Sequence, residues 1–259
     1  MLKKSLGQHL LTDKNLLEKM VRTAGIGPDD TVVEIGPGRG DLSRCIAGKA
    51  LLMYAIEIDR RFEEALAALG REVPNVRVVF SDIMQVSIAG LAEGRRVIAM
   101  GNIPYYLTGD ILFKLLDEKA CVKGAYLTMQ KEVAERIVSP AHSRSYGAIS
   151  VIFRLYAAVK MLFLLKPGLF IPPPKVESAF ISIVFKDAEA ADRGLIEFVK
   201  RSFRYKRKYL RSCLAGEYGP GEIDALYAHM GFPPSVRAEE IEPEGFVEMY
   251  RFFTGRRAA

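Results

Sequence analysis

The sequence has few cysteines, no long apolar run and no internal repeat, and each absence excludes a class of protein. Its three cysteines, Cys45, Cys121 and Cys213, are far apart and form no CxxC pair, which argues against a disulfide framework and a zinc site. No segment approaches the ~20 apolar residues of a membrane span, and the N-terminal stretch lacks the apolar region of a secretion signal. We therefore expect a cytoplasmic protein with no membrane partner.

The composition is that of a globular protein with a basic surface. Of its 259 residues, 49% are hydrophobic, which is enough for one large core and a small second domain. The net charge of +6 favours a polyanionic partner, because Lys and Arg that neutralise phosphates release condensed counterions. Charge alone does not identify that partner.

From Thr31 onward, short apolar runs alternate with amphipathic stretches, a pattern typical of a parallel sheet flanked by helices. The predicted strands are TVVEIG, LLMYAIEID, VRVVFSD, RVIAMGN and KGAYLTMQ, followed by VKMLFLLKP and SAFISIVFK around a proline-rich loop. The predicted helices are Asp41 to Ala47, Arg61 to Leu69, Gly109 to Leu116 with Thr108 as its cap, and Lys131 to Val138. The sequence thus predicts a doubly wound α/β fold.

The polar stretch after Phe185 predicts a domain boundary, with a first domain at 1–186 and a second at 187–259. Residues beyond it lack strand periodicity. Within 195–214, a helical repeat places apolar residues on one face, namely Ile196, Val199, Phe203, Leu210 and Leu214. A neighbouring basic face carries Arg201, Arg204, Lys208 and Arg211. This basic face predicts an RNA-binding helix, with a solvated surface helix as the alternative.

A glycine-rich turn follows the first predicted strand, where doubly wound folds bind nucleotides. In VVEIGPGRG, Gly36, Gly38 and Gly40 would let a cofactor approach the backbone closely. The spacing is GxGxG, with Glu34 before it, rather than the GxGxxG that seats a pyrophosphate. This spacing favours S-adenosylmethionine over NAD.

Acidic residues end the next two predicted strands. Glu57 can accept hydrogen bonds from both ribose hydroxyls of a nucleoside cofactor, and Asp82 can accept one from the adenine amino group. Ile58 and Ile83 can enclose the adenine ring. The alternative is that each carboxylate only caps a loop, but the glycine turn, Glu57 and Asp82 lie at three consecutive strand ends, which favours a cofactor site.

The fourth predicted strand ends in a loop that begins with Asn102, Ile103, Pro104 and Tyr105. The N6 lone pair of adenine is delocalised into the ring, so this amine is a poor nucleophile until acceptors hold its N–H bonds. The side-chain oxygen of Asn102 and the backbone carbonyl of Ile103 can be those acceptors. Pro104 stiffens the turn, and Tyr105 offers a face for an unstacked base. Neither a strong base nor a metal is required, although Asn-Pro can also be an ordinary turn signal.

The proline-rich loop between the last two predicted strands supplies a second candidate for base stacking. Phe170 lies in Leu169-Phe170-Ile171-Pro172 of this loop. Stacking on a base is one interpretation. Burial in the hydrophobic core is the other, and the sequence does not decide between them.

The motifs SLGQHLLTD, VEIGPGRG, IEID, SD, GNIPYYLTGDILFKLL, MQKEVAERI, YGAISV, FIPPPKVESAF and FRYKRK occur in this order along the chain. Together they resemble the rRNA adenine N6,N6-dimethyltransferases, and in particular the bacterial small-subunit branch. The chain departs from this family at His9-Leu10, where many members carry Asn-Phe, and at Tyr205-Lys206-Arg207-Lys208, where an Arg-Arg-Lys core is common.

The resemblance implies a Rossmann-like methyltransferase domain, a seven-stranded mostly parallel sheet with a terminal antiparallel strand, and a small C-terminal helical domain. It implies S-adenosylmethionine as methyl donor, S-adenosylhomocysteine as product and no metal. It places His9 and Leu11 in the donor pocket with Gly36, Glu57, Asp82 and Asn102. It assigns base stacking to Tyr105 and Phe170, and rRNA contact to the C-terminal domain, including Arg207.

The expected substrate is a pair of adjacent adenosines near the 3′ end of 16S rRNA in a 30S precursor, methylated by a monomer. The sister branch that methylates 23S rRNA and confers macrolide resistance is the nearest alternative, because both branches face the same adenine chemistry. A mainly non-enzymatic ribosome-assembly factor is a second alternative. A DNA adenine methyltransferase and an NAD dehydrogenase fit the motifs less well.

Overall fold

A computed structural model describes residues 9–186, 190–205 and 208–255. The strands are β1 (Leu10–Leu11), β2 (Thr31–Ile35), β3 (Leu52–Glu57), β4 (Val76–Phe80), β5 (Val97–Asn102), β6 (Val122–Gln130), β7 (Ala157–Leu165), β8 (Phe170–Ile171) and β9 (Ser178–Phe185). The helices are α1 (Lys14–Ala24), α2 (Asp41–Ala47), α3 (Glu63–Glu72), α4 (Ile88–Ala92), α5 (Thr108–Asp117), α6 (Lys131–Val138), α7 (Ala148–Tyr156), α8 (Arg193–Ser202), α9 (Leu210–Leu214), α10 (Pro220–Met230) and α11 (Pro243–Thr254).

Seven strands form one sheet in the order β4-β3-β2-β5-β6-β9-β7. The strands from β4 to β6 are parallel, and β9 pairs antiparallel with β6, while β7 lies at the edge. The predicted α/β fold is therefore confirmed. The chain order reverses between β2 and β5, and ligands of open α/β sheets bind at the carboxyl ends of the strands beside such a switch point.

Helix α1, which the sequence analysis did not assign, fixes the position of the N-terminal segment. Asp13 caps it by accepting a hydrogen bond from the backbone N–H of Leu16 at 3.0 Å, and Gly25 ends it with φ of 66°. Just before this cap, β1 pairs antiparallel with β8, so that Leu10 lies opposite Ile171 and Leu11 opposite Phe170. The N-terminal segment is thus held against the proline-rich loop.

The chain folds into two compact units, each built from two segments. The first comprises Met1–Ala134 and Ala158–Ala190, and the second comprises Glu135–Ala157 and Ala191–Ala259. The predicted boundary after residue 186 leaves 135–157 in the first domain, whereas the structure groups this segment with the second unit. The reason is that α7 buries Val151, Ile152 and Phe153 and packs against α8 and α11, which are distant in sequence.

The prediction of one continuous basic helix across 195–214 is wrong. Helix α8 ends at Ser202 and α9 begins at Leu210, so Arg204 and Lys208 lie outside both helices. Phe203 instead packs its ring against Tyr146 and Phe246, at centroid distances of 5.9 and 5.5 Å. Tertiary packing of this aromatic residue outweighs the local helical repeat. Among the described helices, none is both long and apolar enough to cross a bilayer.

Candidate active site

One cleft at the carboxyl ends of β2 to β5 brings together most of the predicted site residues. Those that line it are His9, Gly36, Gly38, Glu57, Ile58, Asp82, Ile83, Asn102, Pro104 and Tyr105. All of them except His9 lie at the end of a buried strand or in the turn after it, which is how the sequence identified them. His9 was predicted only from the family resemblance. Since parallel strands end at one edge of the sheet, their following residues converge there.

The glycine turn after β2 forms the floor of the cleft. Gly36 and Gly38 both have positive φ, +70° and +57°, which side chains with a Cβ rarely adopt. A Cβ on Gly38 would also lie 2.7 Å from the side chain of Leu10, which lines the same cleft. The turn therefore needs glycine for both its conformation and the close approach of the N-terminal segment.

Glu57 is held in one orientation by the backbone. Its Oε2 accepts a hydrogen bond from the N–H of Gly38 at 3.0 Å, and its Oε1 accepts one from the N–H of Asp59 at 2.8 Å. Burial raises the pKa of Glu57, while these two N–H groups lower it. Each oxygen keeps further acceptor capacity, so this carboxylate can accept from both hydroxyls of a ribose.

The end of β4 supplies a second acceptor. Asp82 accepts from the N–H of Met84 at 2.9 Å through Oδ1, and no residue of the described part of the chain donates to its Oδ2. Ile58 is 53% exposed and Ile83 is 6% exposed, so both an open and a buried apolar surface flank this carboxylate. The fixed Glu57 carboxylate, the Asp82 carboxylate and two apolar side chains offer the acceptors and the apolar surface that the nucleoside of S-adenosylmethionine requires.

The Asn102 amide is oriented by the N-terminal segment. Its Nδ2 donates a hydrogen bond to the backbone carbonyl of His9. Because that carbonyl can only accept, the amide oxygen Oδ1 is the atom left for a ligand. The N–H of Ile103 donates to the carbonyl of Thr128 at 3.2 Å, and no described residue donates to the Ile103 carbonyl. The loop thus presents two unused oxygen acceptors.

Tyr105 is fixed beside these acceptors. Its hydroxyl lies 2.6 Å from Oγ of Ser178, and its ring stacks on that of His9 with centroids 5.5 Å apart. Burial raises the pKa of the Tyr105 phenol. Its neighbour Tyr106 also lines the cleft and is 56% exposed, so it is a further aromatic surface for a base that the sequence analysis did not single out.

Two predicted residues, Leu11 and Phe170, lie in the core instead of the main cleft. They face each other across the β1–β8 pair and are 6% and 2% exposed. Leu10 lines the cleft in place of Leu11, because successive strand residues point to opposite sides. Leu11 borders a smaller adjoining cavity, which Asn102 also lines. For Phe170 the structure supports the core interpretation.

Glu34 is a buried carboxyl group that the sequence analysis noted without a role. It is 1% exposed, and its Oε2 accepts a hydrogen bond from the Ser43 hydroxyl at 2.5 Å. Burial raises its pKa to about 8, the Ser43 hydroxyl lowers it, and the nearby Glu57 and Asp41 carboxyls raise it. At neutral pH the folded protein therefore keeps this group protonated.

Because Glu34 is protonated in the folded protein, we expect the free energy of unfolding to depend on pH in a specific way. In the unfolded chain the Glu34 carboxyl loses its proton near pH 4.3, whereas the folded chain holds it until about pH 8. The contribution of Glu34 to the free energy of unfolding thus falls as the pH rises between these values. We expect Glu34→Gln to stabilise the protein by about 1–3 kcal/mol at pH 8 and to leave stability unchanged at pH 4.5.

Denaturant unfolding at several pH values measures this effect. Glu64→Gln, a change at an exposed position of α3, is the matched control and should leave the pH dependence as it is in the wild type. If Glu34→Gln shifted stability equally at pH 4.5 and pH 8, the buried proton would not be the cause.

The predicted basic residues of the second unit do not form one stripe. Arg201 pairs with Glu217, and Arg211 pairs with Asp224. Arg204 is exposed and lies over the ring of Tyr205 at 5.6 Å, and Lys208 is also exposed. Arg207 lies outside the described residues, as do Ser5 to Gln8 of the N-terminal motif and Lys206 of the basic motif.

Across 9–186, 190–205 and 208–255, no group of three or more His, Cys, Asp or Glu side chains is arranged to hold a metal ion. Four features together define a nucleoside-dependent methyltransferase. They are a Rossmann-like sheet, a GxGxG turn with positive φ, a fixed carboxylate at the end of β3 and an Asn-x-Pro-Tyr loop at the end of β5. The chain belongs to the ribosomal RNA adenine dimethylase family, whose profile matches residues 1–255.

Individual proteins that are similar to this chain carry names consistent with this family. A protein of Xanthomonas campestris pv. campestris named ribosomal RNA small subunit methyltransferase A is 33% identical over 251 residues, which cover 95% of this chain and 94% of the relative. A protein of Chlorobium phaeobacteroides with the same name is 36% identical over 251 residues, covering 96% and 92%. The chain is therefore an S-adenosylmethionine-dependent rRNA adenine dimethyltransferase, and the dehydrogenase and non-enzymatic alternatives are not favoured.

Solved structures show the same fold. A dimethyladenosine transferase from Plasmodium falciparum superposes with a TM-score of 0.83 at 22% identity, covering 95% of this chain and 98% of that one. The 23S rRNA methyltransferase ErmE superposes with a TM-score of 0.72 at 23% identity, covering 95% and 99%. At such identities the likeness supports the fold and does not select a target RNA.

Proposed function

We propose that this protein transfers methyl groups to N6 of two adjacent adenosines near the 3′ end of 16S rRNA, as a cytoplasmic monomer acting on a 30S precursor. The observation that carries the chemistry is the pair of unused acceptors, Oδ1 of Asn102 and the carbonyl of Ile103, on residues that line the cleft at the carboxyl ends of the strands. The small-subunit target is supported by the names of relatives that are 33% and 36% identical over most of the chain.

S-adenosylmethionine supplies a methyl group on a positively charged sulfur. Glu57, fixed by the N–H groups of Gly38 and Asp59, would bind the ribose hydroxyls. Asp82 would accept from the adenine amino group of the donor through Oδ2, with Ile58 and Ile83 against the ring. These contacts would hold the donor in the same cleft that the Asn102 loop lines.

The Asn102 loop would activate the target amine by accepting one hydrogen bond from each of its two N–H groups. When both hydrogens are held, the nitrogen favours a pyramidal geometry and its lone pair leaves conjugation with the ring. Tyr105 would support the face of the base. Positioning and charge stabilisation then account for catalysis, and the N6 proton leaves to solvent after the methyl group has been transferred.

The substrate is tested by offering labelled donor to undermethylated 30S particles, free 16S rRNA and 50S particles. We expect dimethyladenosine in the 3′-terminal hairpin of 16S rRNA and no label in 23S rRNA. Nuclease digestion followed by mass spectrometry identifies the modified fragment. Label in 23S rRNA instead would assign the protein to the macrolide-resistance branch.

The exposed cations Arg204 and Lys208 are the proposed rRNA contacts of the second unit, with Arg201, Arg207 and Arg211 as further candidates. We expect the double variant Arg204→Ala, Lys208→Ala to weaken rRNA binding and to reduce the slope of log K against log salt by about 0.7–0.9 for each lost phosphate contact. Arg71→Ala removes an exposed charge from α3 as a control and should not change the slope. A double variant with the wild-type slope would show that these two residues do not contact phosphate.

A further inference from the structure

His9 contacts three separate parts of the active site. Its backbone carbonyl accepts a hydrogen bond from Nδ2 of Asn102, and its ring stacks on Tyr105 with an interplanar angle of 30°. Its Nδ1 lies 2.7 Å from the carbonyl oxygen of Pro172. Because this oxygen can only accept, Nδ1 carries a proton and donates to it. One residue therefore connects the catalytic amide, the aromatic ring and the proline-rich loop.

The Tyr105 ring is held at its other end by Ser178. The two hydroxyls are 2.6 Å apart, and Ser178 is completely buried in β9. The phenol is thus anchored by a buried side chain, while one face of the ring is covered by His9. With both contacts in place, Tyr105 keeps one plane relative to Asn102.

On the basis of the function proposed for Asn102, we propose that His9 is a positioning residue that fixes the Tyr105 ring plane relative to the Asn102 acceptor and controls the second methyl transfer more than the first. Its backbone carbonyl orients the amide, and its imidazole supports the ring. This coupling joins recognition of the base face to recognition of the amine.

The difference between the two transfers follows from the number of N–H bonds. An unmodified adenine amine has two hydrogens, which Oδ1 of Asn102 and the Ile103 carbonyl can hold together. After one methyl group has been added, only one N–H remains, so one acceptor contact is lost. The orientation of the monomethylated base then depends more strongly on the aromatic ring, and therefore on His9.

The test uses His9→Ala and His9→Phe in the full-length protein, because both keep the backbone carbonyl and change only the ring. Single-turnover rates on 30S particles with saturating donor give the two transfers separately, with mono- and dimethyladenosine quantified by mass spectrometry. Equilibrium binding gives the Kd of S-adenosylmethionine. We expect His9→Ala to slow the first transfer about threefold and the second about tenfold or more, the range of a lost aromatic stack.

Because His9 also lines the donor cleft, the donor Kd of each variant is measured so that the donor can be kept saturating. His9→Phe should restore the wild-type ratio of the two rates. A loss of rate that disappears when the donor concentration is raised would overturn the inference, because His9 would then act only through donor binding. Equal slowing of both transfers, or a His9→Phe variant as impaired as His9→Ala, would also overturn it. A wild-type protein that forms no dimethyladenosine in 30S particles would instead refute the proposed 16S function.

Discussion

Replacing Asn102 by Ala is expected to reduce the methylation rate about 10²–10³-fold, the range found when one preorganised electrostatic contact is removed from an active site. The substitution removes the amide oxygen that accepts from the target amine and also the Nδ2 bond to the His9 carbonyl. Because the proposed rRNA contacts are cationic residues of the second unit, RNA affinity should change by less than about twofold. Rates under single-turnover conditions and RNA binding by filter retention measure the two quantities.

Asn102→Asp is the matched comparison for this prediction. It keeps an oxygen acceptor but replaces the donor to the His9 carbonyl with a second oxygen, which repels that carbonyl. We expect an activity between those of the wild type and Asn102→Ala. An Asn102→Ala variant with the wild-type rate would refute the proposed hydrogen bond from the target amine to Asn102.

Gly101→Ala is expected to cause the largest loss of stability. A Cβ at this position would lie 2.4 Å from the carbonyl oxygen of Ile35 and 3.2 Å from its backbone carbon and nitrogen. Neither backbone can move without disrupting the pairing of β2 with β5 at the centre of the sheet. We expect a loss of about 3 kcal/mol or more and, because β5 carries Asn102, a parallel loss of activity.

Gly109→Ala provides the control for Gly101→Ala. Gly109 lies in α5, and a Cβ there would meet no heavy atom within 4 Å. Alanine should stabilise the helix by about 0.5–1 kcal/mol. Thermal unfolding compares the two variants, and a Gly101→Ala protein as stable as the wild type would contradict the close approach of the two strands.

Features that depend on local sequence were predicted well. The bounds of α2 and α6 agree with the predicted helices, and the apolar runs correspond to the strands of the sheet within one or two residues. The cleft residues were also identified, since a polar residue after a buried strand is visible in the sequence and parallel topology gathers the strand ends. By contrast, Thr108 is the first residue of α5 and not its cap.

Features that depend on distant partners were not predictable. Ser178 meets Tyr105 across 73 positions, and nothing in either local pattern indicates this contact. The exchange of Leu10 for Leu11 depends on the register of the β1–β8 pair, which only the folded chain defines. The interruption between α8 and α9 likewise depends on the rings that receive Phe203.

The helical unit is built from two segments that are synthesised at different times. Residues 135–157 leave the ribosome before residues 191–259, so the nascent chain must carry the apolar side chains of α7 without α8 and α11 until synthesis is nearly complete. Tyr146, whose hydroxyl donates to the Ile241 carbonyl at 2.8 Å, has a partner that is synthesised 95 residues later. For the same reason, a protein shortened to residues 1–186 would retain only the 135–157 segment of this unit with its apolar surface exposed, and it would be prone to aggregate.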